Sequence, residues 1–384
     1  MLYYLKVIEV VYLDYSATTP VNGEVLDSFV KCNNEYIGNP NSLHKLGIKS
    51  KEIIDASTKQ IKELLGLDNV DIIYTSGSSE ANNLAIKGIC SKYANRGKHI
   101  ITTPLEHSSI YGPINYLIDQ GFEVSFVKLD KNGRVDIENL KELIRDDTIL
   151  VSINAVNSEI GILQSIEEIG EILSLYPKIY FHADLTQAIG KVKIDTSNID
   201  LFSFTAHKFY GLKGIGCLVK KDKIVIEPLI HGGRSTTIYR SGTPTPALIV
   251  SLARSLRLAL NDLDKKYEQV LEYNNYLKEA LKKYNKVRIN SNETCIPHIL
   301  NISILGVKPE TMLHALEEDE IYISTQSACS ANTTASKAVM SVTNDDDRAK
   351  SSIRVSLSSL TTKEELDKFL STFDKCYQRL TNLK

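Results

Sequence analysis

The sequence predicts an α/β protein built on a mostly parallel sheet, and three observations carry the prediction. Short apolar runs rich in β-branched residues recur through the central part of the chain, at residues 99–103, 122–127, 149–153, 179–183 and 201–204. Between several of them lie stretches with helical spacing, at 79–93, 110–120, 137–145 and 166–175. The chain of 384 residues, 42% hydrophobic and 24% charged, is long enough for two or three domains of ~150 residues and has an ordinary globular composition. Strands alternating with helices indicate parallel strands covered on both faces. Ligands of such sheets bind at the carboxyl ends of the strands, so the residues just after each run are the candidates for chemistry.

The remaining elements follow in order. Residues 70–74 form an apolar segment ahead of a small-residue turn, and the pattern changes near Pro244. Residues 246–284 read as one long helix with Leu and Ala on one face. Beyond it come shorter elements at 297–304, 310–318, 321–324, 353–357 and 363–380, which predict a second, smaller α/β domain. The stretch 330–347 holds Ser, Thr, Asn and Asp without Pro or Gly and reads as a polar, mobile loop with one short helical piece.

Charge and cysteine usage exclude several classes. Lys and Arg number 45 against 47 Asp and Glu, a net charge of -2 that gives no electrostatic case for direct nucleic-acid or membrane binding. Cys32, Cys90, Cys217, Cys295, Cys329 and Cys376 are widely spread, with no CxxC and no Cys/His cluster at zinc spacing, so no metal is expected. The first eleven residues mix Lys6 and Glu9 into apolar surroundings, which is unlike a signal peptide. No apolar run approaches the ~20 residues that span a bilayer. The expectation is a cytoplasmic protein with reduced thiols.

Four groups of residues could carry chemistry. Thr75-Ser76-Gly77-Ser78-Ser79-Glu80 opens a helix after an apolar segment, where free N–H groups and hydroxyls suit a phosphate. An ordinary Ser cap is the alternative. His182-Ala183-Asp184, with Gln187 three residues on, ends a buried-type strand; the acid can pair with a protonated ring nitrogen or cap the next helix. Ser203-Phe204-Thr205-Ala206-His207-Lys208 also lies at a strand end, and a lysine there can form a Schiff base with a carbonyl if its surroundings lower its pKa. Ser327-Ala328-Cys329-Ser330 puts a thiol among small polar residues at the head of the polar stretch, and Arg354 can clamp a carboxylate or serve as a surface ion pair. Together they are the parts of a pyridoxal 5'-phosphate (PLP) enzyme with a nucleophilic cysteine.

With these groups in order, the chain resembles the PLP-dependent cysteine desulfurases of the NifS/IscS type, within the class-V aminotransferases, nearly end to end. Tyr12-Leu13-Asp14-Tyr15-Ser16-Ala17-Thr18-Thr19-Pro20, Gly38-Asn39-Pro40-Asn41-Ser42-Leu43-His44, Glu106-His107, His207-Lys208, Arg240-Ser241-Gly242-Thr243 and Ser327-Ala328-Cys329 match the family's signatures. The resemblance implies PLP fold-type I architecture: a large domain, 15–258, on a mostly parallel seven-stranded sheet, and a smaller α/β domain from 1–14 and 259–384 that carries the cysteine loop. It implies a homodimer that converts L-cysteine to L-alanine and passes sulfur through an enzyme persulfide to an acceptor protein.

By the same resemblance, Lys208 would carry the cofactor and shuttle protons, His107 would stack on its ring and assist acid/base steps, Asp184 would hold the ring nitrogen protonated, and Gln187 would contact the ring hydroxyl. Ser78, Ser79, Thr205 and His207 would bind the phosphate, with Thr243 from the partner subunit. Arg354 would fix the substrate carboxylate with Asn39 nearby, and Cys329 would take the sulfur.

The chain departs from the family pattern at Ser78, at Ser158 in Asn157-Ser158-Glu159, where an amide near the cofactor is expected to be lost, at Arg234-Ser235-Thr236-Thr237, at Gln326 and at Ser358. Other readings kept open are a selenocysteine lyase, a small aminotransferase and a degenerate scaffold paralogue. The acceptor is expected to serve iron–sulfur cluster assembly or thiolation of tRNA or a cofactor, and the Ser-Thr-Gln-Ser-Ala-Cys wording leans towards tRNA thiolation.

Overall fold

A computed structural model describes residues 10–325 and 335–381. The chain divides into two compact units, one of Thr19–Asn157 and Leu163–Asp264, the other of Met1–Thr18, Ser158–Ile162 and Lys265–Lys384. The short return at 158–162 was not foreseen from sequence. It belongs to the smaller unit because its backbone is tied there: Ser291 Oγ donates to Ile160 O at 2.6 Å, Asn301 Nδ2 to Glu159 O at 3.1 Å, and Ile162 bridges Cys295.

After β1 (Val11–Tyr12), which belongs to the smaller unit, the chain builds the larger one. It runs α1 (Gly23–Glu35), α2 (Lys45–Leu64), β2 (Val70–Thr75), α3 (Ser78–Tyr93), β3 (His99–Thr102), α4 (Ser108–Ile118), β4 (Glu123–Phe126), α5 (Ile137–Leu143), β5 (Thr148–Asn154), α6 (Ile166–Ser174), β6 (Tyr180–Asp184), β7 (Leu201–Thr205), a 3-10 turn (Ala206–Lys208), β8 (Gly216–Lys221) and α7 (Pro246–Leu260). The seven strands lie in the order β2-β8-β7-β6-β5-β3-β4. Only β8 runs against its neighbours, so the expected mostly parallel seven-stranded sheet is the one observed. β5, β6 and β7 are buried almost throughout, because helices cover both faces. One core packs Ile73, Leu84, Ile89, Ile100, Ile114 and Leu218 between α3, α4 and the sheet.

The smaller unit holds α8 (Leu263–Leu281, whose first two residues belong to the larger unit), β9 (Val287–Ile289), β10 (Ile299–Ile304), α9 (Pro309–Glu317), β11 (Ile321–Tyr322), α10 (Lys337–Thr343), α11 (Asp346–Lys350), β12 (Ser352–Ser356) and α12 (Lys363–Thr381). β12, β10 and β9 form an antiparallel sheet, and β1 pairs with β11. Its core gathers Leu13, Leu300, Ile302, Ile353, Phe369 and Phe373.

Two expectations need correction. The single helix 246–284 is two helices: Asn261 turns extended after α7, and Asp262 takes φ 52°, a left-handed conformation that stops the first helix before α8 begins. The described part of the polar stretch holds two short helices and not one. Ser336 caps α10 by accepting from Val339 N, and Asp345 caps α11 by accepting from Arg348 N. Residues 330–334, with Gln326 and Cys329, lie outside the described residues.

Candidate active site

The candidate site forms at the carboxyl ends of β2, β6 and β7 in the larger unit. At the end of β2 the chain turns through Ser76 and Gly77 into α3. Gly77 offers no side-chain cap, so the first N–H groups of α3 are not satisfied by one. Glu80 reaches back to accept from Ser76 N at 2.7 Å and is held by Arg240 Nε at 3.0 Å. These hydrogen bonds and the Arg240 charge hold the Glu80 carboxyl below its ordinary range, although burial opposes them. The turn lies directly against β8: a Cβ on Gly216 would come within 2.8 Å of the Gly77 backbone, so only glycine allows the approach. Ser78 is half-buried and Ser79 exposed at the helix mouth.

Asp184 ends β6, paired in register with Asn154 on β5 and Ser203 on β7. Its Oδ1 accepts from Thr186 N at 2.9 Å, which closes a turn and caps no helix, since none lies between β6 and β7, and its Oδ2 accepts from Asn82 Nδ2 at 2.8 Å. Two residues back on the same face of the strand, His182 is fully enclosed and bonds Ser152 Oγ at 2.9 Å. Burial pushes its imidazole down to about 4.

The turn after β7 places His207 and Lys208 half-buried beside the same sheet edge. Thr205 is buried and donates its hydroxyl to Ile215 O, and Thr19 N donates to His207 O, fixing the turn from below. Burial, then the ammonium groups of Lys208, Lys213 and Lys191, push His207 down to about 4. Three ammonium groups close enough to act on the ring's charge make this region locally positive, suited to an anion. Lys191 Nζ also donates to the buried Gln187 Oε1 at 2.5 Å. Exposed Thr243 and half-buried Arg240 join Ser76 in lining a cavity of about 110 Å³.

His107 caps α4 and accepts from Ser109 N at 3.2 Å, with Ser109 Oγ 2.9 Å from the same Nδ1. Beside it, Glu106 is sealed off: Oε1 accepts from Thr103 Oγ1 and Asn154 N, and burial pushes the carboxyl up to about 8. Asn39 sits on an exposed turn ahead of α2, its Oδ1 accepting from Asn41 N.

In the smaller unit, Arg354 is 1% exposed, which removes the surface ion-pair alternative. Nη2 meets Asp14 Oδ1 at 2.7 Å and Nη1 donates to Ser158 O at 2.9 Å, while Nε is buried with no hydrogen-bond partner among the described residues. Ser158 accepts from Arg354 through its backbone carbonyl, and the neighbouring amide, Asn157, donates to Leu105 O. Arg354 N and Ser324 O pair at 2.7 Å, so the chain that leads towards Cys329 starts beside the guanidinium strand. The other five cysteines are free thiols, and burial is the main cause raising each of them above the ordinary thiol value. Burial therefore disfavours their thiolates.

Sequence reasoning passed over Asn82 and Ser109, and named Ser203 only as the head of the run that leads to Lys208. Asn82 is fully buried on the apolar face of α3 between Ala81 and Ala85, and an amide on such a stripe was the available signal.

The chain is similar to known proteins over nearly all of its length. The aminotransferase class-V family model matches residues 11–369. A NifS/IcsS protein homolog of Lactobacillus delbrueckii subsp. bulgaricus is 40% identical, over 97% of this chain and 98% of its own. Cysteine desulfurase IscS of Dictyoglomus turgidum is 37% identical, over 97% and 96%. Among solved structures, a NifS-like protein superposes with a TM-score of 0.89 at 31% identity, over 97% of this chain and all (100%) of that one. SspA in complex with cysteine gives 0.80 at 29%, over 91% and 99%. The fold is that of a fold-type I PLP enzyme. The chain belongs to the class-V aminotransferase family and, within it, to the NifS/IscS cysteine desulfurases.

The residues present fit the cofactor. An uncapped helix start pressed against Gly216, three ammonium groups nearby and a carboxylate held at the next-but-one strand end suit a phosphate and a protonated pyridine.

Proposed function

We propose that the chain is a cysteine desulfurase: L-cysteine and the Cys329 thiol yield L-alanine and a Cys329 persulfide, whose outer sulfur then passes to an acceptor protein. The observation that carries the reading is the meeting of α3's bare N-terminus, Asp184 and Lys208 at one edge of the sheet, in a chain whose relatives are named for this activity.

When bound, PLP supplies an electron sink for the substrate's α-carbon. The chain's residues do the rest. Ser78, Ser79, Thr205 and His207, with Thr243 from a second copy, would hold the phosphate. Asp184 would keep a proton on the ring nitrogen, Gln187 would meet the ring hydroxyl, and His107 would lie against the ring. Lys208 would attach the cofactor and move a proton at the substrate's α-carbon. Arg354 orients the carboxylate, with Asn39 assisting. The Cys329 thiolate attacks the substrate sulfur, a sulfur–sulfur bond forms as the carbon–sulfur bond breaks, and the released electron pair is protonated to give the methyl of alanine. The reaction needs no outside oxidant or reductant.

A homodimer agrees with the strong exposure of Leu43, Ile37 and Ile238 in the larger unit. Among the described residues no helix is long and apolar enough to cross a membrane, in keeping with a cytoplasmic site. The acceptor serves iron–sulfur assembly or thiolation.

The test is an absorption spectrum of PLP-loaded protein before and after L-cysteine, with alanine and sulfide quantified. A visible band that shifts, with both products formed, supports the reading. Lys208→Ala should lose at least ~10²-fold in rate. Product formation equal in wild type and Lys208→Ala would sink it.

A further inference from the structure

Asn82 stands on α3 with its amide fully buried. Nδ2 donates to Asp184 Oδ2 at 2.8 Å and to Ser109 Oγ at 2.9 Å, and Oδ1 accepts from Ser203 Oγ. The orientation of the amide is dictated: a carboxylate only accepts, so the nitrogen must face Asp184. One amide hydrogen goes to Asp184 and the other to Ser109, which makes the Ser109 oxygen an acceptor there. With one lone pair taken by Asn82, the Ser109 hydroxyl keeps its hydrogen to donate to His107 Nδ1, 2.9 Å away, provided that nitrogen is an acceptor. The backbone N–H of Ser109, a donor without ambiguity, points at the same nitrogen from 3.2 Å.

We propose that Asn82 is a positioning residue that sets the tautomer of His107. By orienting the Ser109 hydroxyl it makes Nδ1 an acceptor of two hydrogen bonds and leaves the ring hydrogen on Nε2. The same amide carries the carboxylate expected under the cofactor nitrogen, so α3, α4 and β6 are locked to one another through a single side chain. His107 therefore enters turnover as an Nε2–H donor, an acid and not a base. This deepens the desulfurase reading, on which it rests for what the ring faces; the tautomer itself is read without turnover, so failure of either is distinguishable from failure of the other.

The experiment is nitrogen NMR of the holoenzyme labelled with ¹⁵N-histidine at neutral pH, with His107 assigned by its absence in His107→Asn. The wild-type protein should show Nδ1 unprotonated and Nε2 protonated. In Asn82→Ala the Ser109 hydroxyl is released, and the Nδ1–H form should rise about 5-fold, the factor that one net hydrogen bond carries. Ser109→Ala, a milder change, should give the same rise and decides the matter if Asn82→Ala does not fold. A wild-type ring with its hydrogen on Nδ1, or doubly protonated, would overturn the proposal. So would folded variants that leave the tautomer ratio unchanged.

Discussion

Glu106 shows how much one buried carboxyl can govern. Its Oε1 is satisfied by Thr103 and Asn154, but Oε2 is buried with no hydrogen-bond partner among the described residues. Burial, helped by the nearby Asp184 charge, pushes the group up to about 8. The folded chain thus binds this proton more tightly than the unfolded chain, and the stability it contributes is full below about pH 4.5 and lost as pH rises through 8. Glu106→Gln keeps the acceptor and removes the titration, so it should stabilise the protein at pH 8 by a few kcal/mol, on the order the shift implies, and change little at pH 5. Melting temperatures at the two pH values check this; an equal difference at both would contradict it. The thiols give a second expectation at this scale. With five held protonated by burial, a limiting alkylating reagent at neutral pH should modify Cys329, as mapped by peptide mass spectrometry. An adduct on Cys295 or Cys32 would count against the assignment. Lys208 and His107, in signature runs, and Asp184, at a strand end, were legible in the sequence as candidates. Asn82 and Ser109 were not, because their meaning lies in three elements meeting and not in any spacing along the chain.

At the scale of elements, the turn between β2 and α3 depends on a residue of another strand. Gly216→Ala would drive a Cβ into the Gly77 backbone at 2.8 Å and into Phe204 O. The turn must move, with an overpacking cost of about 1–3 kcal/mol and weaker PLP binding. Cofactor titration of the variant tests this, and unchanged affinity would show that the cradle tolerates the shift. β8, which Gly216 opens, escaped the sequence reading because it ends in Lys220 and Lys221. Lys220 is nonetheless fully buried, its ammonium 2.6 Å from Asp71 and 4.5 Å over the Tyr239 ring. α1 and α2 escaped for a different reason: the buried positions of α2 recur at helical spacing, but three of the five, Gly47, Ser50 and Ser57, are not large apolar residues, and α1 buries only Val25 and Cys32. Four of the five apolar runs of the central sheet were legible because strands buried on both faces must be continuously apolar; the run 122–127 holds β4, an edge strand whose residues are exposed or half-buried.

For the molecule as a whole, buried histidines set the acid limit. His182 and His207 lie at about 4 when folded, against about 6.5 unfolded. The unfolded chain takes up these protons first on acidification, so their contribution is present above pH 6.5 and is lost as pH falls towards 4. For the fully enclosed His182 the loss is on the order of 2–3 kcal/mol. His182→Asn should therefore flatten the fall of the melting temperature between pH 6.5 and 4.5, and an unaltered slope would contradict the account. The strand–helix alternation gave away the sheet, and the change of pattern near Pro244 pointed to a second unit. The return of 158–162 to the smaller unit was hidden, because it rests on single hydrogen bonds such as Ser336 Oγ to Glu159 Oε2 at 2.7 Å between residues far apart in sequence.

The central claim, that the site releases alanine while sulfur stays on the protein, is tested most directly by a single turnover. PLP-loaded protein is mixed with less than one equivalent of L-cysteine, and alanine is quantified while intact and peptide mass spectrometry follows the sulfur. The account predicts alanine equal to the cysteine consumed, one added sulfur on Cys329, and no such sulfur in Cys329→Ser. Consumption of cysteine with no sulfur on Cys329, or alanine formed at full rate in Cys329→Ser, would contradict it.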